Sequence, residues 1–228
     1  MGGSDFDAAD LVRKLALTLV PMILSLSFLE CAHAFAAFKL GDKTAKDAGR
    51  LTLNPQVHID PIGTLLIPAM SVLFGGVACI GWAKPTPFRA DRMNKGVNRR
   101  LGAAIVSAAG PASNLLLACV SLALLSGLAH GGYFETESTS REAILTLLEA
   151  MIGLNVGLAI FNLLPIPPLD GHRLLPPAFD RIMAPLQKYG FGILMLIFFF
   201  LPSVANVIFY QPYKWTLHSL EHLFGIMT

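Results

Sequence analysis

Charge is what this 228-residue chain has least of: 14% of its residues are charged, 54% are hydrophobic, and the mean hydropathy is +0.60. A typical soluble domain carries about 25% charged residues, so most of this chain is expected to sit in lipid. A net charge of +2 offers no strongly basic surface for nucleic acid, and the basic residues of such a chain report orientation instead. Its three cysteines, Cys31, Cys79 and Cys119, all fall in apolar segments, which excludes a framework of paired, solvent-exposed thiols. No internal repeat, low-complexity tract or long linker divides the chain, so residues 1–228 read as one domain. The N-terminus also lacks the basic start of a cleavable signal. Asp5, Asp7 and Asp10 precede the first apolar run, which is therefore expected to be retained.

A spanning helix needs about 20 mostly apolar residues. Four stretches qualify: 11–38, 101–128, 144–164 and 189–209. A fifth, 61–82, is interrupted by Pro61, Gly63, Pro68, Gly75, Gly76 and Gly81. Proline removes a backbone donor and glycine weakens a helix, so this piece either crosses the bilayer or enters and returns within protein. Charge separates the two. If it returns, 13 of the 17 Lys and Arg residues lie on one side of the membrane; if it crosses, 11 do. The positive-inside rule favours the re-entrant arrangement, with 39–100 in the cytoplasm and the acidic N-terminus outside.

Within that stretch, alternation at 51–53 followed by Asn54-Pro55 predicts short strands. Residues 81–88 are expected to be extended, because each residue before a proline is pushed out of the helical region. The fold expected from these patterns is an all-α polytopic membrane protein. It has four to six membrane segments around a three-helix core, a re-entrant segment, and short β-strands at about 50–88.

Ionisable groups are costly at bilayer depth and mark function when present, which singles out Glu30, His33 and Asp170. Glu30 and His33 are three apart and share a helical face. In the re-entrant arrangement the first and third helices both run inward, so Asp170 arrives on the same side. The local sequence is Leu29-Glu30-Cys31-Ala32-His33, one residue away from His-Glu-x-x-His. That motif aims two histidines at a zinc ion and sets the glutamate as general base on the metal-bound water. Here Leu29 stands in the first position.

Four stretches, in order, carry a family resemblance: FLECAHAFAAFKLGD at 28–42, RLTLNPQVHIDPIGT at 50–64, GPASNLLLA at 110–118 and FNLLPIPPLDGHRLL at 161–175. Together they resemble the small bacterial members of the site-2 proteases, intramembrane zinc metallopeptidases. The resemblance implies Zn2+ as cofactor, with His33 and Asp170 as ligands, Glu30 as the base and Asn162 as a residue that holds substrate or stabilises the oxyanion. It further implies a transmembrane protein as substrate, the lipid bilayer as environment, and a bacterial inner membrane with the site toward the cytoplasm. Leu29 leaves two ligands where the family supplies three, so weak or absent zinc binding is expected.

Substrate is expected to unwind and pair along an edge at Leu51, Leu53 and Asn54, with His58 and Asn114 as further substrate-binding candidates. Taken alone, His58 reads as a cap for the segment at 61, and Asn114 as a hydrogen-bonding group between packed helices. Asp170 would equally suit a helix cap. His172 is a candidate replacement nitrogen, although residues two apart on a regular element diverge. Two other functions compete with proteolysis: an inactive homologue or inactivated variant that binds membrane segments without cutting them, and a small transporter or proton relay. The relay lacks the duplicated halves usual in transporters.

Overall fold

The computed structural model describes residues 8–74, 81–134 and 138–226, apart from the side chain of Ala184. In chain order it runs α1 (Ala8–Lys39), α2 (Thr44–Asp47), a 3-10 turn at Pro55–Val57, a wide helical turn at Pro61–Leu66 leading into α3 (Ile67–Leu73), and a 3-10 turn at Ala90–Arg92. Then come α4 (Arg99–His130), α5 (Thr139–Leu163), 3-10 turns at Asp170–Leu174 and Pro177–Phe179, α6 (Asp180–Phe200), α7 (Pro202–Ala205), a wide turn at Asn206–Tyr210, and α8 (Gln211–Leu223).

Three helices, α1, α4 and α5, are long and apolar enough to cross a bilayer. A fourth crossing exists only if Pro177–Met183 and Pro185–Phe200, bent by 71°, count as one span. By length and composition, the described residues thus offer three candidate crossings, or four if the bent pair is one span. The break has a local cause: Pro185 lacks an N–H and its ring crowds the preceding turn. The apolar run at 189–209 is likewise divided, because Leu201 leaves helical geometry before Pro202 (φ −124°, ψ 62°).

The described residues between 50 and 88 form no strand, which corrects the strand expectation. Asn54 caps a 3-10 turn instead, its side chain accepting from Gln56 N at 3.1 Å. Carbonyls that a ladder would use are taken by side chains: the Arg50 guanidinium binds Val57 O and Lys84 O, and the His58 ring binds Thr52 O at 2.9 Å. Residues 81–88 form neither helix, strand nor turn, and Pro85 and Pro87 contribute no donors. Two isolated bonds remain, Lys84 N to His58 O at 2.8 Å and Trp82 N to Gly63 O at 3.3 Å.

The helical piece Pro61–Leu73 begins on Asp60, whose carboxylate accepts from Ile62 N at 3.0 Å and Gly63 N at 2.7 Å. Its 6- and 7-residue parts extend about 20 Å at 1.5 Å per residue, against about 30 Å of bilayer core. Trp82 comes back to its start, where Trp82 O accepts from Thr64 Oγ1 at 2.7 Å. Residues 75–80, with Cys79, lie outside the described residues; Cys31 and Cys119 are free thiols.

The core is the α1, α4, α5 trio. His33 meets Val106 and Leu29 meets Gly110, so α4 runs antiparallel to α1; Arg13 meets Glu142 and Ser25 meets Asn155, so α5 runs parallel to it. The facing stripes are small or polar: Ser25, Ala34 and Ala37 on α1, Ser107, Gly110 and Ala118 on α4, Asn155 and Ala159 on α5, all buried. Without a hydrophobic drive between helices in lipid, such residues provide the close packing and hydrogen bonds that hold a bundle together.

Candidate metal and catalytic site

The site forms where α1 approaches the start of α4 and the loop after α5. Leu29, Glu30 and His33 are 5%, 7% and 6% exposed, respectively. A Cβ added to Gly110 would lie 2.4 Å from His33 Nε2 and 3.2 Å from Leu29 Cγ. Leu29 and His33 therefore press on the same point of α4, as i and i+4 residues should. Only glycine leaves room for them. The carbonyl of Val106 lies 2.7 Å from His33 Nδ1. A carbonyl only accepts, so Nδ1 carries the proton and Nε2 faces outward. There Nε2 meets Asp170 Oδ2 at 3.1 Å.

Asp170 reaches His33 because the loop after α5 folds back tightly. A Cβ on Gly171 would sit 2.1 Å from Leu163 O, which explains why glycine follows the aspartate. In the neutral imidazole form, Nε2 and the carboxylate are two acceptors in contact. They need a proton or a cation between them.

Glu30 lies beside this pair and is held by a partner the sequence reading missed. Thr86 N donates to Glu30 Oε2 at 2.6 Å, and Thr86 Oγ1 donates to Glu30 O at 3.1 Å. The available signal was Lys84-Pro85-Thr86-Pro87, in which Thr86 alone of the last three can donate from its backbone. The segment is fixed against the core partly by Asp42, which is fully buried. Its carboxylate accepts from Arg89 N at 2.5 Å, Thr44 N at 2.9 Å and Thr44 Oγ1 at 2.5 Å. Burial works to raise the Asp42 carboxyl, but these donors, with Arg92 nearby, outweigh it and hold the group below its ordinary value.

The remaining candidates have local partners or none. Asn162 is half-buried on α5, and its amide donates to Leu158 O at 3.0 Å within its own helix. His172 turns Nδ1 to Leu169 O at 2.5 Å. Leu53 and Asn54 are exposed and Leu51 is half-buried, whereas His58 is 1% exposed and bonded to Thr52. Asn114 is fully buried one turn beyond Gly110, with neither amide atom partnered among the described residues. No group of three or more His, Cys, Asp or Glu among the described residues is arranged to hold a metal.

Residues 129–204 match the profile of Peptidase family M50. YwhC of Bacillus subtilis, whose name assigns it to the zinc metalloproteases, is 41% identical over 79% of this chain and 78% of its own length. The chain belongs to this family of metalloproteases, the site-2 proteases. Rip2 of Mycolicibacterium smegmatis, assigned by name to the same class, is 32% identical over 91% of this chain and 78% of its own, and Rip2 of Mycobacterium tuberculosis is 30% identical over 85% and 70%. No solved structure matches the chain. A catalytic zinc in such a family requires three protein ligands and one open position. His33 Nε2 and Asp170 Oδ2, 3.1 Å apart, are two candidate donors, and Leu29, on the same side of α1 as His33, has an isobutyl group that cannot coordinate. The residues present do not fit a catalytic zinc ion.

Proposed function

We propose that this site-2 protease binds transmembrane segments of other membrane proteins and that its peptide-bond hydrolysis is crippled by Leu29. The observation that carries the reading is the shared contact of Leu29 and His33 with Gly110. Position 29 is thus the site's open corner, and an apolar side chain fills it. When zinc is bound in a complete centre, it supplies an activated water and polarises the scissile carbonyl. In this chain, His33 is pre-oriented by the Val106 carbonyl, Asp170 is brought to it by the loop, and the Glu30 carboxylate is held by Thr86 in the place of a general base. The missing part is one ligand.

Substrate would approach from the side of segment 81–88, with Leu51, Leu53 and Asn54 along its path and Asn114 and Asn162 within the bundle. The return of Trp82 to Thr64 supports a re-entrant 61–82. That arrangement, with the charge distribution, favours a site facing the cytoplasm, and the reading takes the membrane to be a bacterial inner membrane.

Co-expression with a doubly tagged single-span reporter, its span interrupted by Gly and Pro, tests the reading. The unmodified chain co-purifies with the reporter and leaves it intact. Leu29→His releases a fragment, and Glu30→Gln in that background stops the release. Cleavage by the unmodified chain at the rate of Leu29→His contradicts the proposal. So does a Leu29→His chain that holds zinc and never cuts.

A further inference from the structure

The far end of the helical core carries a second, complete pair of histidines at i and i+4. Helix α8 runs antiparallel along α5: Tyr213 Oη lies 3.2 Å from where a Cβ on Gly153 would be, Leu217 and Leu220 pack with Leu122, Leu125 and Ile152, and Phe224 O accepts from Ser126 Oγ at 2.8 Å. Ser126 is 20 residues along α4 from Val106, which touches His33. At 1.5 Å per residue the two ends are about 30 Å apart. The half-buried, packed face of α8 (Tyr213, Leu217, Leu220) lies opposite a ridge that bears Trp215, 74% exposed, with His218 and His222, both exposed. Neither imidazole is engaged by another described residue.

We propose that His218 and His222 form a two-imidazole chelate for a first-row divalent transition-metal ion, Cu2+ or Zn2+, separate from the Glu30, His33 and Asp170 site. Residues four apart on a helix stand one above the other, about 5–6 Å between Cβ atoms. Two imidazoles so placed reach one ion, the ring arrangement that makes His-x-x-x-His a metal motif wherever it lies on one helical face. Imidazole ligands favour Cu2+ over Zn2+ at equal geometry. The sequence His-Ser-Leu-Glu-His also has the residue order of an inverted zinc-peptidase motif. A catalytic centre of that kind needs a third protein ligand, and no trio gathers here among the described residues. The pair is thus a binding site whose other positions are filled by water. It stands on the geometry of α8 alone and owes nothing to the protease reading.

Trp215 is three residues before His218, on the same ridge, so a bound paramagnetic ion quenches its emission. The test is titration of the full, tag-free chain in detergent with CuCl2, followed by tryptophan fluorescence, with ZnCl2 as competitor. One equivalent of Cu2+ quenches saturably, and Zn2+ in excess reverses the quenching, since the pair favours Cu2+. His218→Ala and His222→Ala each weaken binding at least about 10- to 100-fold, the range seen when even a ligand's supporting partner is lost. His33→Ala leaves the titration unchanged, and Trp215→Phe removes the optical signal while calorimetry still counts one ion. Both histidines are exposed, so the variants keep the circular dichroism of the parent. A titration that does not saturate overturns the proposal, as does one unaltered in both His→Ala variants, or one abolished by His33→Ala.

Discussion

Two helices of this protein place side chains at i and i+4 where a metal motif would have them, and they differ in opposite respects. On α1 the pair is Leu29 and His33, buried against Gly110, with Asp170 and Glu30 drawn in beside it. On α8 the pair is His218 and His222, both imidazoles and both exposed, with no third His, Cys, Asp or Glu assembled around them among the described residues. One has the setting of a catalytic centre without the ligand set; the other has the ligands without the setting. Helical spacing decides only which side chains share a face. Packing decides whether a second carboxylate and a backbone donor such as Thr86 N join them.

The largest expected effect is the change that gives α1 what α8 has. Leu29→His adds the missing imidazole opposite Gly110 and is expected to raise zinc affinity more than about 100-fold, since altering mere supporting partners costs 10- to 100-fold; equilibrium dialysis against radioactive zinc measures it. Next is the close approach itself. Gly110→Ala drives a methyl to 2.4 Å from His33 Nε2, and overpacking of this kind costs about 1–3 kcal/mol. It is read as a lower thermal midpoint in detergent, together with loss of the zinc gained in the Leu29→His background.

The frame around the site is tested by Asp42→Asn, which weakens charge-assisted bonds to Arg89 and Thr44 and is expected to cost about 1.5–3 kcal/mol. Because the folded Asp42 carboxyl lies below its ordinary value, its contribution is fully present above the ordinary carboxylate range, about pH 4, and is lost as pH falls through the depressed value. Denaturation midpoints of parent and Asp42→Asn should therefore converge in acid. The smallest effect belongs to Arg100→Ala at the rim. Its exposed pair with Asp180 at 2.7 Å contributes little in water, and the small loss, read as a shift in thermal midpoint, should fade in high salt.

Hydropathy located α1, α4 and α5 well, because lipid demands a long apolar run and α1 and α4 carry through Pro21 and Pro111 as helix. Glu30 and His33 stood out for the same reason: carboxylates and imidazoles are rare in such runs. The contact of Asp170 with His33 depends on the tight fold of the loop at Gly171, which spacing along the chain does not reveal. Alternation at 51–53 suggested strands, yet the Arg50 and His58 side chains took the carbonyls that a ladder needs. Thr86 was hidden because its decisive group is a backbone N–H, common to almost every residue. The division near Leu201 was readable from Pro202 and was masked by the apolar residues on either side.

The central claim is that Leu29 alone removes the third ligand from an otherwise assembled centre. The direct measurement is zinc content by mass spectrometry, after dialysis, of the unmodified chain and of Leu29→His, each carrying His218→Ala and His222→Ala so that α8 contributes nothing. The account predicts little zinc in the first and about one ion per chain in the second. Tightly held, stoichiometric zinc in the chain that keeps Leu29 would contradict it.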